Sequence, residues 1–377
     1  MKTLQENKHV KAEHGVVASF PRDFFGYFGW PTVALTSGGR LLVAASGLRN
    51  DHVCPFGRTV LCHSMDNGLN WTSPRVVNDT PMDDRDAGLV SLGGEKLLLS
   101  WFSTDNRQTS GKRYKTMDNK ERVARWQEGF ARMDDAQAAR YTGAWTRTSE
   151  DGGDHWGEPR RVMLTAPHGP VLLQTGVVLF LGKSFSTMDN FVRGEGAVAS
   201  MRSSDGGIHW ELGGSVPLLG GTIDAQYHEA HVAEMPDGRL IGLIRFQDAP
   251  NHETIDVGAP SFSLLQTRSD DRGRTWSRPV PLKFHGAPPH LLYHSSGALV
   301  CSYGYRQAPF GQRAMISRDA GDTWHYDYIL RDDGVDSDLG YPSSVELSDG
   351  SLFSVYYQKE HGPSDQCSLL WTRWQLP

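Results

Sequence analysis

The chain has 377 residues, with 38 Lys and Arg against 44 Asp and Glu, a formal net charge of −6 and 38% hydrophobic residues. That apolar content can build a sizeable core, and no basic run or Lys/Arg stripe offers a nucleic-acid surface, so nucleic acid is excluded as an expected partner. No stretch is long and apolar enough to span a membrane, and the four cysteines show no metal-ligand spacing, so neither a membrane nor a metal is expected.

Residues 1–25 are polar and irregular, but Gly15-Val16-Val17-Ala18-Ser19-Phe20 reads as a strand. In a ring of blades, one terminus can complete the blade built by the other and remove the free edges. No apolar h-region follows Met1-Lys2-Thr3-Leu4-Gln5-Glu6-Asn7-Lys8, so a cytoplasmic location with reduced thiols is the expectation.

From residue 28 onward a hairpin repeats: an apolar strand, a Gly turn, a second apolar strand. The copies run from Trp30 to Gly39, Asp86 to Glu95, Pro167 to Gly176, Glu229 to Gly238, Pro288 to Gly297 and Tyr341 to Gly350. Five of the six are followed by Ser-x-Asp-x-Gly-x-x-Trp, at Ser64–Trp71, Ser149–Trp156, Ser203–Trp210, Ser269–Trp276 and Ser317–Trp324. Asp and Gly suit a tight turn, the Ser hydroxyl adds a local bond, and the Trp packs beneath it. The last hairpin is followed by a strand without such a box, Ser368 to Trp374. The simplest architecture is a single all-β domain over residues 1–377, a six-bladed β-propeller. In a radial array, equivalent positions converge, so Trp30, Asp86, Pro167, Glu229, Pro288 and Tyr341 are expected at one mouth.

Residues 105–140 interrupt the second blade. Asn119 to Arg140 reads as one helix with Val123, Trp126, Phe130 and Met133 along one face, either a lid, a dimer contact or a surface excrescence.

The five boxes resemble the Asp-box, or BNR repeat, of the sialidase superfamily. The resemblance implies a six-bladed propeller whose boxes are structural, so no catalytic role falls to Asp66, Asp151, Asp205, Asp271 or Asp319. It also implies an active site. Glu229, in His228-Glu229-Ala230-His231, and Arg245 at the end of the partner strand match the family's Glu and a carboxylate-binding Arg. Tyr341, in Gly340-Tyr341-Pro342, matches its nucleophile. A phenol needs an adjacent base near neutral pH, which Glu229 would supply. Asp51 lies in a loop like the one carrying the family's acid/base, though the residue alone also reads as a turn Asp. Asp84 and Asp86 are rivals, and two acids around Arg85 also describe an ion network. Arg306 or Arg313 would complete a carboxylate site. Where the family has an Arg before the first-strand Pro, this chain reads Phe28-Gly29-Trp30-Pro31, so one arm is absent unless Arg49 or Arg58 reaches in. Trp30 would stack on a sugar face, and His52, His228, His231 and His290 would line the pocket as polar groups.

The leading expectation is therefore a retaining, sialidase-like exo-glycosidase acting without a cofactor on a terminal acidic sugar. A non-sialic sugar handled by hydrolysis or elimination, and a non-catalytic glycan- or protein-binding propeller, are the alternatives.

Overall fold

The computed structural model describes residues 8–107, 119–184, 198–249, 256–360, 362 and 364–377. Six antiparallel sheets follow one another around an axis, giving the six-bladed β-propeller expected from the repeats. The first blade holds Tyr27–Leu35, Leu41–Arg49, Arg58–Ser64 and Arg75–Asn78 in sequential order. The second holds Asp83–Gly93, Lys96–Thr104, Gly143–Ser149 and Arg160–Val162, and the fourth Tyr227–Glu234, Leu240–Phe246, Ser263–Ser269 and Val280–Leu282. The third differs in its innermost strand, which is split into Leu164–Thr165 and Val171–Leu172.

The sixth blade closes the ring. Gly340–Glu346, Leu352–Lys359 and Cys367–Trp374 come from the C-terminal end, and Ala12–Ala18 pairs antiparallel with Cys367–Trp374 as the outer strand. Both faces of each blade meet a neighbour, so the middle strands are continuously apolar; Leu41, Leu42, Val43, Ala44 and Ala45 are all fully buried.

The turn residues do what their chemistry dictates. The hairpin-turn glycines Gly39, Gly176, Gly238, Gly297 and Gly350 all take positive φ between 77° and 87°, which only glycine adopts without cost. In the first Asp-box the Ser64 hydroxyl donates to Asp66 at 2.7 Å and accepts the Gly68 N–H at 2.9 Å, while Asp66 accepts the Asn70 N–H at 2.9 Å. The Trp side chains also bind blades together: Trp276 Nε1 donates to Ser200 of the third blade at 3.3 Å, and Trp324 Nε1 to Gln266 of the fourth at 2.7 Å.

Among the described residues, the stretch expected as one helix, Asn119 to Arg140, folds as two, Lys120–Ala131 and Asp135–Tyr141. Asp134 is the reason: it caps the second helix in a capping box with Gln137, and its extended backbone stops the first. The helix Lys120–Ala131 is docked rather than solvated. Trp126 is fully buried, and Gly129 permits close approach, since a Cβ there would lie 2.6 Å from Phe56. Residues 108–118 of the insertion lie outside the described residues.

Candidate active site

The innermost strands start irregularly, and this is what aims side chains at the axis. Pairing with the second strand slips between Gly29 and Thr32, Arg85 and Gly88, Tyr227 and Ala230, and Gly340 and Ser343. In three of these bulges the in-register residue takes a left-handed backbone: Trp30 at φ 52°, Asp86 at 53° and Tyr341 at 52°. Such a conformation costs a bulky residue about 1–3 kcal/mol and persists only where the surroundings enforce it.

The structure brings Tyr341, Glu229 and Arg245 together from the sixth and fourth blades. The Tyr341 hydroxyl donates to Glu229 Oε1 at 2.6 Å. Arg245 Nη1 donates to both Glu229 oxygens at 3.0 and 3.1 Å and reaches Tyr341 Oη at 3.2 Å. Burial alone would raise the Glu229 carboxyl, but the Arg245 charge, His228 and the Tyr341 hydrogen bond outweigh it and hold it at about 2. Tyr341 is pushed up from the ordinary phenol value, first by burial and then by the Glu229 charge. The resting pair is thus a neutral phenol donating to an anionic carboxylate, at the short distance expected of a charge-assisted bond.

Arg306 also belongs to this group. Its guanidinium lies 5.6 Å from the Tyr341 ring centre and donates to the Leu339 carbonyl at 2.9 Å. Phe262 packs under both arginines, 4.4 Å from Arg245 and 5.7 Å from Arg306.

Asp86 and Asp51 occupy different surroundings. Asp86 is buried, and its carboxyl is raised to about 7, first by burial; the Glu229 charge adds to this while Arg85 and Arg49 oppose it. Asp51 instead faces an open pocket of about 530 Å³, lined also by His52, Arg122, Arg306, Ser337, Asp338, Lys359 and Asp365. Arg122 of the inserted helix pairs with Asp51 at 3.0 Å and with Asn50 Oδ1 at 2.6 Å, and Trp126 Nε1 donates to the same Asn50 oxygen at 2.8 Å. The insertion therefore fixes the loop that carries Asp51.

Five expectations need correction. Trp30 is only 1% exposed, with Arg85 over its ring at 4.2 Å, Arg49 at 4.8 Å and His52 edge-on at 5.0 Å, so no face remains for a sugar. Arg49 is fully buried in a pair with both oxygens of Asp83 and holds the loop carbonyls of Asp51 and His52, so it does not reach a ligand. Arg58 pairs with Asp79 at 3.1 Å. Arg313 stacks on Tyr305 at 3.8 Å and lies 3.7 Å from Asp327, so its guanidinium is already engaged. His231 and His290 are not pocket lining but buried packing: their rings stack at 4.3 Å, with His168 edge-on to both at 5.8 and 5.0 Å. Burial pushes His231 down to about 3, so these imidazoles are neutral, and among the described residues no group of His, Cys, Asp or Glu could hold a metal ion.

Sequence reasoning missed two neighbours. Lys183 ends the second strand of the third blade, donates to the Tyr227 carbonyl at 2.6 Å, and feels the Glu229 charge; burial lowers its pKa. It sits as far beyond its turn glycine, Gly176, as Arg245 sits beyond Gly238, and that register could have revealed it. Asp338 holds His52 at 2.8 Å and the Tyr27 hydroxyl at 3.0 Å; no spacing signalled it.

An Asp-box propeller with a Tyr–Glu–Arg cluster at its axis is the class defined by this fold and geometry. The pattern of the BNR repeat-like domain matches residues 122–354, and the chain belongs to that family. No curated protein matches the chain. Solved structures share its six-bladed fold. A protein of unknown function from Dyadobacter fermentans matches at 20% identity and TM-score 0.71, over 97% of this chain and 98% of that one. The intramolecular trans-sialidase from Ruminococcus gnavus, in complex with oseltamivir carboxylate, matches at 15% identity and TM-score 0.63, over 96% and 97%. Trypanosoma rangeli sialidase in complex with sialic acid matches at 14% identity and TM-score 0.60, over 96% and 58%.

Proposed function

We propose that this propeller is a retaining exo-glycosidase of the sialidase type, with Tyr341 as nucleophile. The carrying observation is the 2.6 Å bond from the Tyr341 hydroxyl to the anionic Glu229, inside the reach of Arg245. As the phenol oxygen attacks the anomeric carbon, its proton passes along that bond to Glu229, and Arg245 balances the negative charge throughout. Attack splits the reaction into formation and hydrolysis of a glycosyl-tyrosine.

The leaving oxygen needs a proton. Asp51 takes this role here, because it faces the open pocket through which an aglycone departs and water arrives. Its contact with Arg122 is exchanged for the aglycone oxygen on binding. Asp86, buried beside Glu229, faces the glycone instead. Similarity to structures named for sialidase activity supports the type of substrate, a terminal acidic sugar.

A panel of aryl glycosides that includes a sialoside, run on wild type and Tyr341→Phe, tests the reading. Sialoside turnover abolished by the substitution is the expected result. Turnover of a different sugar replaces the substrate, and silence across the panel ends the enzymatic reading. An Asp51→Asn variant that keeps turnover of good leaving groups but loses poor ones assigns the proton donor; the same behaviour from Asp86→Asn moves the role.

A further inference from the structure

The guanidinium groups near the axis differ in what already occupies them. Arg245 is held by Glu229, Tyr341 and Gln247, and Arg306 by the Leu339 carbonyl. Arg49 is closed by Asp83, Arg122 by Asp51 and Asn50, and Arg313 sits beside Asp327. Arg85 is different. It stacks over the Trp30 indole at 4.2 Å and lies 5.9 Å from the Phe102 ring. Its Nε, like that of Arg245, is buried without a hydrogen-bond partner. But where the Arg245 Nη atoms are bonded to Glu229, Tyr341 and Gln247, Arg85 makes no side-chain hydrogen bond or ion pair among the described residues. The side chain as a whole is half-buried, so part of the fork remains open.

A stacked, incompletely bonded guanidinium is an unusual thing to place in a closed fold. Five N–H donors in a fixed fork match a carboxylate in two parallel bonds, and an aromatic face beneath the fork holds its plane while leaving its edge free. The backbone explains how Arg85 comes to lie there. The bulge between Arg85 and Gly88 turns the start of the second blade's inner strand, and Trp30 takes the matching left-handed position of the first blade with Gly29 before it. The first blade therefore offers a neutral indole with Gly29 before it, and the second blade lays an arginine on top of that indole.

We infer that Arg85, carried on Trp30, is the specificity-determining residue that receives the carboxylate of an acidic sugar in this site, together with the free edge of Arg306. This rests on the glycosidase reading above, since it places the anion beside Tyr341.

The test measures binding by calorimetry of two carboxylated probes, 2,3-didehydro-N-acetylneuraminic acid and 4-nitrophenyl β-glucuronide, each against its methyl ester. Wild type is expected to favour at least one acid over its ester, and Arg85→Gln to reduce that preference about tenfold or more, the ordinary worth of a charge-assisted bond. Arg85→Lys, which keeps the charge but not the fork, is expected to retain an intermediate preference and confirms that any loss is not a failure to fold. Trp30→Phe tests the platform and is expected to weaken the acid more than the ester. An unchanged acid-to-ester ratio in Arg85→Gln overturns this assignment while leaving Tyr341 turnover, and hence the glycosidase reading, intact. A wild type that favours neither acid overturns it as well, and turnover of a neutral glycoside in the panel then shows that only the substrate class was at fault.

Discussion

The rim and the mouth of this propeller use the same side chain to opposite ends. At the rim, Asp66 is surrounded by donors: the Asn70 N–H at 2.9 Å, the Asn70 amide at 2.7 Å and the Ser64 hydroxyl at 2.7 Å. Those bonds, led by the Asn70 backbone, hold its carboxyl down at about 2. At the mouth, Asp86 is raised to about 7, first by burial, with the Glu229 charge close by. A carboxylate whose acceptor sites are filled by its own turn is committed to architecture. One that is buried among charges, with few donors, stays chemically open. The sequence motif marks the first kind because repetition needs local bonds; nothing local marks the second.

The comparison breaks most sharply at Tyr341. Replacing Tyr341 with Phe removes the nucleophile and its bond to Glu229 while keeping the ring, so kcat on an aryl glycoside should fall on the order of a thousandfold or more with the fold intact by circular dichroism. Retained turnover sinks the mechanism. Glu229→Gln should lower kcat too, and it leaves the buried Arg245 without its counter-charge. Unfolding in urea should therefore show a loss of about 3–5 kcal/mol, the ordinary result of breaking a buried ion pair from one side.

A smaller effect comes with pH. Asp84 is fully buried and, like Asp86, is raised to about 7 first by burial; both exceed the ordinary carboxyl value of 3.8. The folded state therefore binds protons that the unfolded state has released between those values. Stability from these groups is fully present below pH 3.8 and is lost as pH rises through about 7. Urea midpoints should fall from pH 5 to about pH 7 and level off above it, and Asp86→Asn should remove its own share of the slope. A flat profile in wild type would show that these groups are solvated. Smallest of all is Asp66→Ala, which should lower the melting temperature slightly and leave kcat/KM unchanged. A loss of activity there would end the division between rim and mouth.

Most of the fold could be read from the chain because each hairpin needs its own glycine and each box its own Ser, Asp, Gly and Trp. The convergence of Glu229 and Tyr341 followed from repetition, since equal positions in equal units meet at the axis, while Arg245, on the second strand, was indicated only by the family resemblance. What stayed hidden was the pairing of charges. Arg49 looked available until Asp83 was seen to close it, and Arg313 until Tyr305 and Asp327 were. Trp30 looked like a sugar platform, and the arginine that covers it comes from the next blade. Partners of Asp51 arrive from an insertion about seventy residues away, a distance that no periodicity encodes. Ion pairing is decided by a few ångströms of space, whereas turns are decided by the neighbouring residue.

The blade that carries Tyr341 takes three strands from one end of the chain and Ala12–Ala18 from the other. A protein emerging from the ribosome can assemble its first five sheets before this last one has all its parts. The proposed nucleophile is thus mounted on the seam of the ring, and the phenol at the axis is in place only once the whole circle has been sewn shut. Joining the two ends and opening the chain between residues 18 and 27 would make that blade contiguous and turn its assembly into a local event.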